Sequence, residues 1–140
     1  MKTRKIAAAL LAALVLAACL ESDVPVEVLF PGQVGEYLRT SGPSPHASVP
    51  GVELAVYQGP SGTVTLQARR VDAGQAQAAL NTLPPLATNV GYDPALGQRE
   101  GVFFTFGEEY HAAWANGDWV FVLSASTEAG RAAFLSAYGY

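Results

Sequence analysis

The sequence is poor in the residues that build disulfides, metal centres and nucleic-acid surfaces. It has one cysteine, Cys19, and two histidines, His46 and His111. One cysteine excludes an intramolecular disulfide, and zinc needs three or four converging ligands, so we expect no metal and no cofactor. Lysine is absent after Lys5, and from residue 19 onward five arginines stand against twelve acids, a formal charge of −7. Such an acidic chain lacks the basic footprint of a nucleic-acid-binding protein.

The sequence also lacks an apolar run long enough to span a bilayer. Its longest run, residues 6–18, has thirteen apolar residues. As a helix this run would cover about 20 Å, whereas the hydrocarbon core is about 30 Å thick. Three cations, Lys2, Arg4 and Lys5, precede it. A charged start before a short apolar run is typical of a signal peptide, which we place at residues 1–18 and expect to be removed.

The end of this run indicates the kind of signal peptide. Leu16-Ala17-Ala18-Cys19 resembles the lipobox of bacterial lipoproteins. The resemblance implies cleavage before Cys19, attachment of diacylglycerol to its sulfur, and often a further acyl chain such as palmitate on its nitrogen. An ordinary secretory signal with a chance cysteine near the cleavage site is the alternative. Two or three acyl chains give stable anchoring, so the resemblance predicts a membrane anchor at Cys19.

The resemblance also bears on location. Leu20 follows Cys19, at a position where many lipoproteins retained in the inner membrane carry aspartate. We therefore expect the outer membrane if the host has two membranes, and the outer face of the cell membrane otherwise. Attachment should depend on the lipid, because an acidic domain gains nothing from an anionic bilayer.

The mature chain is long enough for one domain. We expect a lipidated tether at residues 19–28 and a single domain at residues 29–140. Alternation over residues 26–30 predicts a short edge strand, residues 35–40 another strand, and the Ser-, Gly- and Pro-rich residues 41–50 a loop.

Hairpin and helix signals then follow twice. Residues 52–58 and 63–71 alternate as an antiparallel hairpin, and Asp72 with Gln75 predicts a capping box for a helix that ends at Pro84-Pro85. Residues 86–101 show no period, and such stretches are often functional.

The second group of signals is clearer. Strands are predicted at residues 102–106, 108–115 and 118–124, with Asn116-Gly117 as a turn in which both residues have positive φ. This register places Trp114 opposite Trp119 and His111 opposite Val122. A closing helix is expected to start at Ser126-Thr127-Glu128.

These signals predict an α+β fold, a two-layer sandwich in which two helices pack on one face of an antiparallel sheet of about five to seven strands. The matching order of Asp72-Ala73-Gly74-Gln75-Ala76 and Glu128-Ala129-Gly130-Arg131-Ala132 suggests a duplicated strand-strand-strand-helix unit. Chance similarity between alanine-rich segments is the alternative.

Five residues of the 108–124 hairpin form the candidate binding surface: Glu109, Tyr110, His111, Trp114 and Trp119. The aromatic members could line a pocket, but a core position is favoured. Glu109 and His111 share a strand face, and a solvated polar pair is favoured over a weak metal site. Ser124 or Ser126 with His111 could form a nucleophile–base pair, yet the expected register separates them and no Gly-x-Ser-x-Gly elbow occurs.

The sequence therefore favours a non-enzymatic, membrane-anchored module. It would bind an envelope protein or another envelope component through the loops of residues 84–101 or through the open sheet face. A carrier of a small apolar ligand is the second hypothesis, and a hydrolase is the third.

Overall fold

The computed structural model describes residues 24–81 and 87–140, so the signal peptide and Cys19 lie outside the described residues. The fold is α+β and mostly sheet. Its strands are β1 Gln33–Val34, β2 Tyr37–Pro45, β3 Val52–Gly59, β4 Gly62–Arg70, β5 Thr88–Gly91, β6 Glu100–Phe106, β7 Glu109–Asn116 and β8 Trp119–Ala125. Its helices are α1 Val26–Leu29, α2 Ala76–Leu80 and α3 Glu128–Ala137, with a 3-10 turn, η1, at Pro94–Leu96.

All eight strands form one antiparallel sheet with the order β1-β2-β3-β4-β8-β7-β6-β5. The first four and the last four strands thus mirror each other about a central β4–β8 pair. In that pair Leu66 lies opposite Leu123. A helix follows each group of four, α2 after β4 and α3 after β8.

One face of the sheet carries the hydrophobic core, because every second residue of the central strands is apolar and points to it. Phe134 of α3 packs edge-on against Tyr37 and Tyr57, with ring centroids 5.8 and 5.0 Å away. The sheet residues in this core are Val34, Tyr37, Ala55, Tyr57, Val64, Leu66, Ala68, Phe103, Ala112, Trp114, Trp119, Phe121, Leu123 and Ala125. The core is therefore built from side chains of both halves.

The sheet is larger than expected, with eight strands instead of five to seven, and three helices and a 3-10 turn replace the two-helix layer among the described residues. Residues 26–29 are helical rather than an edge strand. The predicted loop at residues 41–50 is a strand up to Pro45, with register shifts around Gly42, whose φ is +82°. Prolines are tolerated there because β1 pairs with β2 only at Tyr37 and Leu38, which leaves the rest of that edge without a partner strand.

The turn between β7 and β8 also differs from the prediction. Asn116 pairs with Trp119, so the two-residue loop is Gly117-Asp118, and of these only Gly117 has positive φ, +60°. Glycine at the first loop position is the preference of a type II′ turn. The register shifts by two residues, and Trp114 faces Phe121. A shift of two keeps each residue on its face, so the predicted shared face of the aromatic residues is retained.

The structure confirms one of the two predicted helix starts and contradicts the other. Thr127 caps α3, its side chain accepting a hydrogen bond from Gly130 N, as the sequence predicts. The predicted capping box at Asp72 is wrong: α2 begins at Ala76 and has no side-chain cap. Within residues 24–81 and 87–140, no helix is both long and apolar enough to cross a membrane.

Candidate binding cleft

An open cleft of about 830 Å³ lies at the Gly117 end of the sheet. Its walls come from four parts of the chain: the start of α2, residues 94–100, the β7–β8 turn and the end of α3 with the residues after it. The volume falls within the usual range of ligand sites. The cleft is therefore the concavity that we consider as a site.

Local sequence signals build the wall at residues 94–100. The Asp93 carboxylate accepts a hydrogen bond from Ala95 N at 2.8 Å, and Pro94 occupies the first turn of η1. Gly97, with φ +63°, ends this turn. Aspartate before proline and glycine after the last turn are ordinary start and stop signals of a helix. They fix a short turn within the stretch that the sequence leaves without a period.

Arg99 ties this wall to the C-terminal residues. Its Nε donates to the main-chain oxygen of Tyr140 at 2.7 Å, and its other nitrogens donate to the main-chain oxygens of Tyr138 and of Leu96, the latter at 3.3 Å. The guanidinium also lies 5.4 Å from the centre of the Trp114 ring. Burial lowers the pKa of Arg99, but arginine keeps its charge in proteins. Arg99 thus acts as a clamp within the cleft wall.

The cleft combines apolar walls with polar groups. Pro94, Ala95 and Tyr140 contribute accessible apolar surface. Gln77 of α2 donates from Nε2 to the Glu100 carboxylate at 2.7 Å, which joins two sides of the cleft. Further amide groups come from Gln98 and Asn116. Such a surface suits a ligand with both apolar side chains and main-chain polar groups.

The aromatic members of the predicted surface lie in or beside the core. Trp114 is 0 % exposed and stacks on Phe121, with centroids 5.2 Å apart, and Trp119 is also buried. Tyr110 is half-buried, 5.5 Å from the Arg131 guanidinium. These three residues share the core face, and none of them lines the cleft.

Arg131 is the buried cation on this face. Its guanidinium lies 3.9 Å from the centre of the Phe103 ring and donates to the main-chain oxygen of His111 at 3.0 Å. Its partner carboxylate, that of Glu128, is exposed and 3.9 Å away. Burial lowers the pKa of Arg131. The contacts are made to a ring and a main-chain oxygen, so Arg131 holds α3 to the sheet.

The two polar members of the predicted surface lie on the opposite face of the sheet. His111 faces Ser124, not Val122 as expected, and its Nδ1 is 2.9 Å from Ser124 Oγ. Its Nε2 is 3.8 Å from the exposed Glu109 carboxylate, too far for a hydrogen bond. Burial lowers the pKa of His111 more than Glu109 raises it. The ring also stacks on Phe104 at 4.9 Å.

The His111–Ser124 pair has the spacing of a base and a hydroxyl, but its surroundings do not suit acyl transfer. Both residues lie inside paired strands, so the neighbouring main-chain N–H groups are used in the sheet ladder and do not form an oxyanion hole. In the described part of the chain, no three His, Cys, Asp or Glu side chains gather in a metal-binding arrangement.

The sequence does not identify the individual residues of the cleft. It predicts the irregular stretch at residues 86–101 as a candidate region, and residues 94–100 form one wall. Asp93-Pro94 and Gly97 could have identified η1. Nothing in the sequence points to Arg99, because its partners are main-chain oxygens about forty residues away.

Comparison with known proteins shows the fold only. The sequence matches no family model and no curated protein. Among solved structures, a protein described as a GTP binding regulator from Thermotoga maritima is similar, with a TM-score of 0.53 and 18 % identity over 86 % of this chain and 88 % of that chain. At that identity the likeness supports the architecture and carries no activity across.

Proposed function

We propose that this protein is a lipoprotein of the cell envelope, held to a membrane by acyl chains on Cys19. The support is the charged start, the short apolar run and Leu16-Ala17-Ala18-Cys19 in this order. Two or more acyl chains suffice to keep an acidic domain at a bilayer, since each buried CH₂ contributes about 0.8 kcal/mol. Leu20 after Cys19, where aspartate would favour the inner membrane, supports the outer membrane in a host with two membranes. In a host with one membrane, the lipid would hold the protein at the outer face of the cell membrane.

Substitution of the acylated residue tests this anchor. We expect Cys19→Ser to appear as a soluble exported protein or as an unprocessed precursor, whereas the parent requires detergent for extraction. Ser22→Ala, in the same segment, is the matched control and should fractionate like the parent. If Cys19→Ser is processed normally and still partitions with membranes, the anchor proposal is wrong.

We further propose that the cleft binds an extended segment of an envelope protein and that the domain is not an enzyme. One observation carries this: the cleft is open to solvent and combines amides and a carboxylate with apolar residues at the edge of the hydrophobic core. A carrier of a small apolar ligand calls for an enclosed apolar cavity. An extended polypeptide offers both apolar side chains and main-chain groups that an amide such as that of Gln98 can bind.

Site-specific photo-crosslinking in the native cell tests the cleft. A photoreactive residue at Gln98 should give one discrete protein adduct, and the same residue at the exposed Gln58 of β3 should not. Two exposed positions of α3 provide a matched pair: Ser136 lines the cleft and Ala133 does not. Ser136→Trp should abolish the adduct and Ala133→Trp should preserve it. Equal adducts from both tryptophan variants would rule out the cleft as the binding site.

We also infer that the two halves derive from duplication of one strand-and-helix unit, with the helices of both halves packed on the same face as a second layer. The mirrored strand order supports this, since β4 and β8 occupy equivalent places and pair with each other. The helix-start segments, residues 72–76 and 128–132, are separated by 56 positions. The repeating unit would have four strands, one more than the sequence indicates.

A further inference from the structure

The chain is fixed to the domain from Val24 onward, much closer to Cys19 than the sequence suggests. Leu29 and Phe30 are fully buried, and Val24 and Val26 pack against the core. Tyr138 Oη donates to the main-chain oxygen of Leu29 at 2.8 Å. Residues 24–30 are therefore part of the domain.

Two more hydrogen bonds hold the residues after α1. Tyr57 Oη donates to the main-chain oxygen of Pro31 at 2.9 Å, and Arg39 donates to that of Phe30. Burial raises the pKa of Tyr57 to about 12 and also raises that of Tyr138. Both hydroxyls therefore remain donors over the whole physiological pH range.

The number of residues between Cys19 and Val24 then limits how far the domain can turn relative to the acyl chains. Five residue steps separate Cys19 from Val24, a reach of about 18 Å when fully extended. A domain of this size is about 35 Å across. A free tether over residues 19–28 would span about that distance, whereas the five steps from Cys19 to Val24 reach at most about half of it. The side of the domain that carries α1 must therefore stay near the acyl chains.

We propose that the surface formed by α1 rests on the lipid bilayer and that the cleft opens beside this contact. The proposal rests on the acylation of Cys19. Val28 of α1 is 46 % exposed, and the neighbouring Glu27 is exposed and acidic, so the tether and apolar contact hold this surface at the bilayer, not charge. Tyr138 links the two features, since its hydroxyl binds Leu29 and the residue also lines the cleft.

The strand order also indicates which part of the domain lies away from the bilayer. The residues after α1 are held by Arg39 of β2 and Tyr57 of β3, whereas Glu108 lies in the turn between β6 and β7, beyond the central β4–β8 pair. Four strand spacings separate β2 from β7, about 19 Å. A label at position 108 should therefore lie farther from the headgroups than a label on α1.

Fluorescence quenching on vesicles tests this orientation. Acylation occupies the thiol of Cys19, so one introduced cysteine can be labelled uniquely in the full-length lipidated protein. Glu27→Cys and Glu108→Cys are matched, since both replace an exposed acid. On phosphatidylcholine vesicles containing lipids with nitroxide-labelled headgroups, we expect several-fold stronger quenching of the label at position 27 than at position 108. Equal quenching of the two labels on bound protein would overturn the proposed orientation.

A variant with a longer tether tests whether the length of the tether controls the orientation of the domain. Inserting ten Gly and Ser residues between Asp23 and Val24 adds about 35 Å of reach. The inserted protein should still float with vesicles, and the difference between the two labels should collapse. A difference that persists in the inserted protein would contradict control by the tether. Failure of the parent protein to float with vesicles would overturn the acylation proposal and the orientation together, whereas flotation with equal quenching overturns the orientation alone.

Discussion

The two halves of the molecule have the same order of strands, but their helices α2 and α3 differ in length, capping and burial. In the second half, α3 has ten residues, a side-chain cap from Thr127 and four buried residues. In the first half, α2 has five residues, no side-chain cap and one buried residue, Ala76. The halves therefore share a sheet design and differ in how the sheet is covered.

Both helices border the cleft. The start of the five-residue α2 and the end of the ten-residue α3 form two sides of the opening. The other sides are residues 94–100 and the β7–β8 turn. The second half therefore supplies the longer helix and three of the four cleft walls, and the start of α2 supplies the fourth.

The largest expected difference between the helices comes from their buried side chains. Phe134 is fully buried, so Phe134→Ala should lower the free energy of unfolding by about 3–5 kcal/mol. Leu80 of α2 is half-buried, and Leu80→Ala should cost about 1 kcal/mol. Urea unfolding of both variants measures the contrast, and equal losses would contradict the unequal roles of the helices.

The next effect concerns Arg131 and Gln75, which occupy matching places in the two helix-start segments. Arg131→Met removes the donor to the His111 main-chain oxygen and the contact with Phe103, and should cost about 1–3 kcal/mol. Gln75 is exposed, so Gln75→Met should change stability by less than about 0.5 kcal/mol. The same unfolding assay serves as the measurement. A neutral Arg131→Met variant would show that Arg131 does not hold α3.

Helix capping gives a smaller contrast. Thr127→Ala removes the cap of α3 and should cost about 1 kcal/mol. Asp72→Ala removes the cap that the sequence predicts for α2, which the structure does not use, and should have almost no effect. Thermal unfolding of the two variants tests this, and a larger loss for Asp72→Ala would restore the predicted capping box.

The smallest expected effect is the pH dependence of stability that His111 causes in the second half. Because burial lowers the pKa of His111 in the folded state, the unfolded chain binds the proton first as the pH falls through about 6.5. Stability should thus decrease between about pH 7.5 and the lowered pKa of His111. The melting temperature of His111→Asn should fall less over this interval than that of the parent. Parallel profiles for the two proteins would count against a buried neutral His111.

The alternation of apolar and polar residues predicts strands from the sequence, whereas the pairing of distant segments cannot be predicted from it. The alternation in β3, β4, β7 and β8 predicted these strands and the face of each residue. The turn position was misread because Asn116-Gly117 favours one turn type and Gly117-Asp118 forms another. Because of this wrong turn position, the predicted register places His111 opposite Val122 instead of Ser124.

The short edge elements could not be predicted because tertiary contacts create them. Alternation at residues 26–30 favours a strand, yet the burial of Leu29 and Phe30 against the core holds a helical turn. Strand β5 has no alternating pattern and all four of its residues are exposed, so it exists through pairing with β6. The role of Arg99 could not be predicted for the same reason, because its partners are main-chain atoms that only the fold brings near.

Intact mass spectrometry of the protein purified from its native membrane tests the central claim most directly. The account predicts a chain that begins at Cys19 and carries the added mass of a diacylglycerol group, with or without a further acyl chain. A chain with an unmodified Cys19, or one that begins at another residue, would contradict the lipid anchor and the proposed orientation of the cleft at the bilayer.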